Sequence, residues 1–379
     1  MTYRNIQGMR AIAALIVVSA HIFQDIAPMR THWAKTFFSV VGGTGVDIFF
    51  VISGFIIYHV MRRSIDSMDA VGKGRAVHAF AMKRFIRIYP LYWIVFGTSC
   101  LVLAWAPPAV PLPHEPLFQL LALIDNVPNF RVYVAWTLTF EVYFYAVVAL
   151  SLLLFARRAM VGVVIWFAIV GGATLLGLWL PWSKPLDFVF SPIVLEFLLG
   201  IAVAMLVDRG FHRFHGALLA GAFIWMAIGL VFLRPSIFAL NVAHWGTLVA
   251  SNRSFALHVV GGGIPAAIFI YGLVVLEIRQ QWIMPRVLQY LGDASFSIYL
   301  WHAVVFTAMA EVFVRLGWVG VANSAGLIAL MVIVALGIAL LSYRFLEKPL
   351  LRFLGQWFLG RGVSSHSLET VRDLERAGR

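Results

Sequence analysis

The sequence predicts an all-α polytopic membrane protein with about ten transmembrane helices, and three observations lead to this prediction. Hydrophobic residues make up 61% of the 379 residues and charged residues only 12%, about half the share found in soluble proteins. Apolar stretches of membrane-spanning length recur along the whole chain. Lys and Arg are concentrated in alternate connections between these stretches, which is typical of a multi-pass topology.

Ten apolar segments occur in order, each long enough to cross the hydrocarbon core as a helix. Their predicted bounds are about 8–28, 43–62, 88–106, 134–155, 160–180, 188–207, 216–233, 259–278, 292–314 and 322–343. The connection 63–87 is basic and contains glycine, and the connection 107–133 is proline-rich, which favours extended chain. The segments form one membrane domain over 1–350, followed by a tail, 351–379, expected to be cytoplasmic and partly disordered.

The basic residues predict that both termini lie in the cytoplasm. With the N-terminus inside, 22 of the 29 Lys and Arg residues face the cytoplasm and 7 face outside. Val18-Ser19-Ala20 is compatible with a signal-peptidase site, but the apolar run continues past it, which favours a retained first span. The formal net charge of +12 does not indicate a nucleic-acid partner, because the cations lie between apolar runs rather than in one patch.

The first span contains a histidine and an arginine that share one face. An ionisable group in hydrocarbon is costly unless it has a partner, so His21 is a candidate catalytic residue. Arg10 lies 11 residues earlier, about 16 Å away along the helix axis and on the same side. A cation at the cytoplasmic edge and an imidazole near mid-membrane suit a reaction centre that is reached from inside.

Three carboxylates also fall within predicted spans. Asp47 follows the glycine-rich stretch 42–45, and an antiparallel hairpin of the first two spans would bring it toward His21 from the outer edge. A carboxylate that orients an imidazole is a common arrangement for a general base. Asp47 is the first candidate for this role and Glu141 the second, although an acid at a helix N-terminus also offsets the dipole. Glu196 lies near the middle of the sixth span.

Other side chains extend this polar interior. Trp136 and Tyr145 flank the fourth-span carboxylate, and His302 lies mid-membrane in the ninth span. An interfacial aromatic belt explains Trp and Tyr equally well. No metal site is predicted, because no close His pair or His-Glu-x-x-His sequence occurs and the single Cys100 lies in an apolar segment.

A basic cluster stands at the cytoplasmic entry of the third span and contains Lys83, Arg84 and Arg87. Lys83 and Arg87 are four residues apart and share a helical face. Two fixed cations at a membrane surface can hold the phosphates of a nucleotide-like cofactor. Ordinary positive-inside anchoring also explains such a cluster, and charge alone favours that interpretation.

Seven sequence elements, taken in order from about Asn5 to Pro349, resemble the membrane-bound acyltransferase-3 family. This family includes bacterial exopolysaccharide and O-antigen O-acetyltransferases. The elements are Gln7–Ala14 with His21, Gly45–Phe55, the basic cluster ending in Arg87–Pro90, Trp136–Tyr145, Glu196–Phe197, Ser297–His302 and Tyr343–Pro349.

The resemblance implies transfer of an acyl group, usually acetyl, from cytoplasmic acyl-CoA to a saccharide hydroxyl at the bacterial inner membrane. It implies that His21 is the catalytic base or a transient acyl carrier, and that Arg10 and the basic cluster hold CoA. It also favours the cofactor interpretation of the cluster over simple anchoring. The family commonly has two arginines four apart, whereas this chain has Lys83 and Arg87, which keeps the charge but loses one bidentate fork.

The oxyanion formed during acyl transfer needs hydrogen-bond donors, for which Tyr145, Trp136 and His302 are the candidates. Polysaccharide-assembly proteins are candidate partners. Two other functions account for part of the pattern. A proton-coupled transporter also places His, Asp and Glu inside its bundle, but the sequence shows no inverted repeat. A non-catalytic scaffold for polysaccharide export would require neither Arg10 nor His21.

Overall fold

The structure is a computed structural model that describes residues 3–22, 32–107, 116–124, 131–177, 186–229, 256–318 and 325–359. These residues form helices and no β-strand, which confirms the predicted all-α class. The α-helices are α1 Arg4–His21, α2 His32–Val71, α3 Lys73–Trp105, α4 Leu117–Ala122, α5 Trp136–Phe155, α6 Ala159–Gly177, α7 Leu186–Val189, α8 Leu195–Asp208, α9 His215–Ile228, α10 Ile264–Gln280, α11 Arg286–Asp293, α12 Ser295–Arg315 and α13 Ala325–Ser342. Two π-helices, Val259–Gly263 and Tyr343–Glu347, precede α10 and follow α13.

Six helical stretches of the described chain are long and apolar enough to cross a membrane. They are Val41–Val71, Lys73–Trp105, Tyr133–Gly177, Ala256–Gln280, Ser295–Arg315 and Gly326–Leu359. Tyr133–Gly177 has 45 residues, about 67 Å of helix and roughly twice the hydrocarbon thickness. It contains α5 and α6, which reverse at Ala156, where φ is 49°. The total of ten spans and the orientation of the termini stay predictions.

The connection 63–87 differs from the sequence prediction. It is expected as a loop, whereas the structure extends α2 and α3 as helices on both sides of Gly72. Gly72 has a φ of 84°, a left-handed conformation that lets the chain turn at one residue. Hydrophobicity marks only the part of a helix that lies in the membrane, so the charged extension of each helix gives no signal.

Two further connections are described only in part. The segment 107–133 contains the short helix α4, and 108–115 and 125–130 lie outside the described residues. The predicted tail begins as helix, because helical backbone continues over 348–359. Residues 360–379 lie outside the described residues.

Glycines allow α2 and α8 to pack with their backbones in close contact. A Cβ atom at Gly200 would lie 1.9 Å from the carbonyl oxygen of Val51, and one at Gly54 would lie 2.0 Å from that of Phe197. Any side chain at these positions would push the two helices apart. Gly54 is therefore required for the close packing of these two helices, in addition to being part of the sequence element Gly45–Phe55.

Glycines also set the contact between α1 and α2. A Cβ atom at Gly42 would lie 2.5 Å from the Ala20 Cβ, and one at Gly45 would lie 2.7 Å from the Ala13 carbonyl oxygen. Later residues of α2 thus meet earlier residues of α1. The two helices form the antiparallel hairpin that the sequence predicts.

The N-terminus of α1 is anchored by α10. Glu277 accepts hydrogen bonds from the backbone N–H groups of Arg4 (2.9 Å) and Asn5 (2.8 Å), which satisfies two donors at the helix start. The buried Asn5 side chain in turn accepts a hydrogen bond from the backbone N–H of Met284 at 2.8 Å. These contacts fix the rotation of α1 and hence the direction in which Arg10 projects.

Replacement of Gly200 by Ala is expected to destabilise the protein. The new Cβ would overlap the Val51 carbonyl oxygen, and backbone atoms cannot move away without separating α2 from α8. Overpacking of this kind costs about 1–3 kcal/mol. We expect a lower thermal unfolding midpoint of the purified protein in detergent, measured by tryptophan fluorescence.

Gly171→Ala in α6 is the matched control, because no atom lies within 4 Å of the added Cβ. Alanine is also the better helix former, so this variant should unfold at the same temperature or slightly higher. Equal midpoints for the two variants would contradict the close approach of α2 and α8.

Candidate active site

A cavity of about 200 Å³ lies between α1, α2, α3, α5 and α12. Its charged and polar lining comprises Arg10, Ser53, Arg84, Arg87, Thr137, Glu141, Ser295 and the hydroxylated rings of Tyr145 and Tyr299. The other lining side chains are apolar and include Phe49, Phe50 and Ile56. An apolar cavity with a few convergent polar groups is the usual form of a small-molecule site.

Arg87 is held by a carboxylate from the other end of the chain. Its guanidinium donates a hydrogen bond to Glu347 and lies 5.0 Å from the ring centroid of Phe296. The Glu347 side chain is only 1% exposed and accepts a second hydrogen bond from Ser297 Oγ at 2.6 Å. α3, α12 and the second π-helix therefore meet at a buried ion pair beside the cavity.

Glu141 is hydrogen-bonded within the same cavity. The Tyr145 hydroxyl, one helical turn away, donates to Glu141 Oε1, and Ser53 Oγ donates to the same oxygen at 3.4 Å. The Arg84 guanidinium lies 5.5 Å from the Tyr145 ring centroid, within the range of a cation–π contact. The sequence proposes Glu141 as a partner for His21 and Tyr145 as an oxyanion donor, whereas the structure pairs Glu141 and Tyr145 with each other.

Positive and negative charges are nearly balanced around the cavity. Three arginines and three carboxylates contribute, namely Arg10, Arg84, Arg87, Glu141, Asp293 and Glu347. Asp293 ends α11, outside the candidate membrane spans, and burial raises the pKa of its carboxyl while the nearby Arg10 charge opposes that rise. Arg10 also donates to Gln7 Oε1 at 3.1 Å. The interior therefore has little net charge with which to bind a polyanion.

Excess positive charge lies at one edge of the cavity instead. Lys83 does not line the cavity, which differs from the arrangement that its pairing with Arg87 suggests. It is half-buried, and it lies close enough to Arg84 and to the exposed Arg63 for their positive charges to repel its own. Within the described part of the chain, neither Lys83 nor Arg63 forms an ion pair. We call Arg63, Lys83 and Arg84 the basic mouth.

His21, at the end of α1, lies beside a second histidine. The ring centroids of His21 and His302 are 5.3 Å apart, and the Tyr133 ring stands edge-on to His21 at 4.9 Å. His302 is 1% exposed, and its ring lies 5.9 Å from that of Tyr299. Because Tyr299 also lines the cavity, it connects the histidine pair to the arginine-lined space. The sequence places both histidines mid-membrane but does not predict that they meet.

Asp47 occupies a different position from the one that the sequence suggests. Its buried carboxylate lies 3.5 Å from Nδ1 of His258, which directly precedes the first π-helix. The register of α1 against α2, set at Gly42 and Gly45, places Asp47 opposite about residue 15, roughly 9 Å from His21 along the axis. The helices form the predicted hairpin, but its register places the Asp47 carboxylate and the His21 ring at different heights along the helix axis.

Glu196 and Trp136 lie in the helix packing around the cavity rather than in its lining. Glu196 is fully buried, and a Cβ at Gly263 of the first π-helix would lie 2.9 Å from its Oε1. Trp136 packs edge-on against Phe50 and Phe140 at centroid distances of 6.5 and 6.1 Å. This aromatic environment gives no support to Trp136 as an oxyanion donor.

Several residues of the site are not predicted from the sequence. Glu347 and Tyr299 stand inside two of the seven sequence elements, but Glu347 lies four residues past the predicted end of the last span at residue 343, so the cost of an ionisable group in hydrocarbon does not single it out. Tyr133 and His258 fall at or beyond predicted span edges and carry no such signal. Among the described residues, no group of three or more His, Cys, Asp or Glu side chains is arranged to hold a metal ion.

Known proteins similar to this chain are acyltransferases and a polysaccharide-production protein. A family model described as an acyltransferase domain matches residues 3–344. The exopolysaccharide production protein ExoZ of Rhizobium meliloti (strain 1021) is 29% identical over 82% of this chain and 90% of ExoZ. The acyltransferase MdmB of Streptomyces mycarofaciens is 26% identical over 93% of this chain and 92% of MdmB. The peptidoglycan O-acetyltransferase OatA of Listeria monocytogenes is 22% identical, and the match covers 91% of this chain but 55% of OatA.

No solved structure matches the chain. The family model nevertheless spans nearly the whole sequence and includes α1 through α13, which supply the cavity lining and the histidine pair. The resemblance found in the seven sequence elements is thereby confirmed. The chain belongs to the acyltransferase-3 family and is an acyltransferase enzyme.

Proposed function

We propose that the protein is a membrane-embedded O-acyltransferase that moves an acyl group, acetyl in the first instance, from cytoplasmic acyl-CoA to a hydroxyl of a cell-surface or lipid-linked saccharide. The observation that carries this proposal is the connection, through Tyr299, between an arginine-lined cavity and the buried pair of His21 and His302. Relatives named for exopolysaccharide production and peptidoglycan O-acetylation support a saccharide acceptor and a role in exopolysaccharide biosynthesis.

The topology that accompanies this function has ten spans, both termini in the cytoplasm and a bacterial inner-membrane location. The distribution of 22 inward and 7 outward basic residues supports it. In this orientation the basic mouth faces the cytoplasm, where acyl-CoA is made. Polysaccharide-assembly proteins would then be the partners that deliver or remove the acceptor.

The charges favour a divided donor site. A volume of about 200 Å³ is below the roughly 300–1,000 Å³ of sites that enclose whole drug-sized ligands, so only part of acyl-CoA enters. The phosphates bind at the basic mouth, where Lys83 and Arg63 supply uncompensated charge. The uncharged pantetheine arm enters the nearly neutral cavity, with Arg10 and Arg87 at its polar wall.

Two unmet donors support a ligand in this cavity. Ser295 Oγ and Arg84 Nε are buried and have no hydrogen-bond partner among the described residues, although both side chains line the cavity. Buried donors are normally satisfied in a working site. The amide and thioester carbonyl oxygens of an acyl-pantetheine are acceptors of the kind that would satisfy them.

The chemistry centres on His21. As the acceptor hydroxyl oxygen attacks the thioester carbon, His21 takes the hydroxyl proton; the carbon–sulfur bond then breaks, and the proton passes to the CoA thiolate. In the alternative order, His21 attacks the thioester first and carries the acyl group to the hydroxyl. Asp47 and Glu141 act in this proposal through the groups that they contact, Asp47 through His258 and Glu141 through Tyr145.

Replacement of His21 by Ala is expected to abolish acyl transfer while leaving expression and acyl-CoA binding intact. Loss of a general base costs about 10²–10⁴-fold in rate. The measurement is transfer of radiolabelled acetyl to polysaccharide by purified protein in liposomes, together with acetyl-CoA binding by the same preparation. His78→Ala, at an exposed position of α3, is the matched control. Normal turnover of the His21 variant would rule out this mechanism.

Replacement of Lys83 by Gln is expected to raise KM for acetyl-CoA about 10- to 100-fold with little change in kcat, because a phosphate contact with a charged donor is worth about 1.5–3 kcal/mol. The same variant should use acetyl-pantetheine, which lacks the nucleotide phosphates, as well as wild type does. Ser295→Ala should impair both donors, since it acts on the arm. Arg75→Gln, an exposed cation of the same helix, is the control. An equal loss with both donors for Lys83→Gln would contradict the divided site.

A further inference from the structure

One ring nitrogen of His302 has a hydrogen-bond partner among the described residues, and the other has none. Its Nδ1 lies 3.1 Å from the backbone carbonyl oxygen of Ile298, one turn earlier in α12. A carbonyl oxygen only accepts hydrogen bonds, so Nδ1 must carry the proton. In a neutral imidazole the other nitrogen, Nε2, is then a bare acceptor.

The neutral form is the one expected for His302. The residue is 1% exposed, and no carboxylate of the described residues forms an ion pair with it. An imidazolium buried without a counter-ion would be costly. His302 is therefore unable to donate to an oxyanion through Nε2, which removes it from the donors that the sequence suggests.

The Nε2 atom is buried and has no hydrogen-bond partner among the described residues. Three rings surround this side chain. Phe306 is apolar, and the Tyr299 hydroxyl already lies 2.7 Å from Thr137 Oγ1 and donates to the Val134 carbonyl oxygen. The third ring is His21, with a centroid distance of 5.3 Å and planes inclined by 34°.

Resting on the proposed function, we infer that His302 is a positioning residue that accepts a hydrogen bond from the His21 N–H through Nε2. Rotation about the last side-chain torsion, which is soft for histidine, closes this contact. One nitrogen of His21 then carries the proton toward His302, and the other presents its lone pair to the acceptor hydroxyl. A fixed tautomer of this kind is what a general base requires.

Two substitutions at one position test this role. His302→Asn keeps an amide donor near the Nδ1 position and loses the acceptor at the Nε2 position, whereas His302→Gln places an amide oxygen near the Nε2 position. Misplacement of a catalytic group costs about 10²-fold, so we expect kcat of the Asn variant to fall by that amount with KM for acetyl-CoA unchanged. The Gln variant should recover at least tenfold of the loss. Thr307→Val, which removes another i−4 side-chain bond in α12, should keep wild-type kcat.

A measurement that does not use activity separates this inference from the proposed function. In protein labelled with ¹⁵N-histidine and reconstituted in nanodiscs, His302 Nε2 should show the shift of a hydrogen-bonded acceptor nitrogen and should lose it in His21→Ala. An acceptor shift in a protein that transfers no acyl group would contradict the proposed function and keep the pairing. A free-acceptor shift in wild type, equal kcat losses for the Asn and Gln variants, or full activity of the Asn variant would each overturn the pairing.

Discussion

Arg87 and Glu347 form a buried ion pair between the third helix and the π-helix that follows α13, and the cavity is built around that contact. A charge taken out of water must be compensated, and removal of one member of a buried pair typically costs about 3–5 kcal/mol. The Ser297 hydroxyl donates a further hydrogen bond to Glu347. One carboxylate therefore holds three distant parts of the chain together. Arg87 is in turn held in a defined direction at the cavity wall, where its charge is already compensated.

This compensation affects how the negatively charged donor of the proposed function would approach the cavity. A helix surface that faces lipid has few places for charged groups, and here three arginines and three carboxylates lie around one interior cavity. Because arginines and carboxylates are nearly equal in number around the cavity, the net attraction for phosphate is strongest at the basic mouth. Close helix contacts at Gly54 and Gly200 hold α8 against α2, and α2 forms one wall of the cavity. A nearly neutral cavity beside the basic mouth therefore fits the donor of the proposed function, which has an anionic head and a thin polar arm.

Much of this arrangement follows from the sequence, but the pairing of residues on different helices does not. Apolar length identifies the helices, and helical periodicity places Glu141 and Tyr145 on one face of α5, but it does not predict that Arg10, Arg87 and Glu141 line one cavity. Periodicity fixes the faces of a single helix, whereas a contact between helices also depends on their relative rotation and register. A shift of one residue turns a side chain by about 100°. That freedom explains why Asp47 lies with His258 rather than with His21, whereas the contact of Glu141 with Tyr145 is an i,i+4 contact within α5.

The first helix sets the distance between Arg10 at the cavity wall and the pair of His21 and His302. Glu277 fixes the start of α1, and α1 packs against α2 along its length. The spacing of about 16 Å between Arg10 and His21 is therefore fixed by the helix. In the proposed function, the pantetheine arm of the donor extends past Arg10 and must cover this distance before its acyl carbon reaches His21. The rings of Tyr133 and His302 contact His21, so in the proposed function they bound the space for the acyl group. In the proposed function we therefore expect these two ring positions to limit the length of the acyl chain and the basic mouth to set the affinity for the donor.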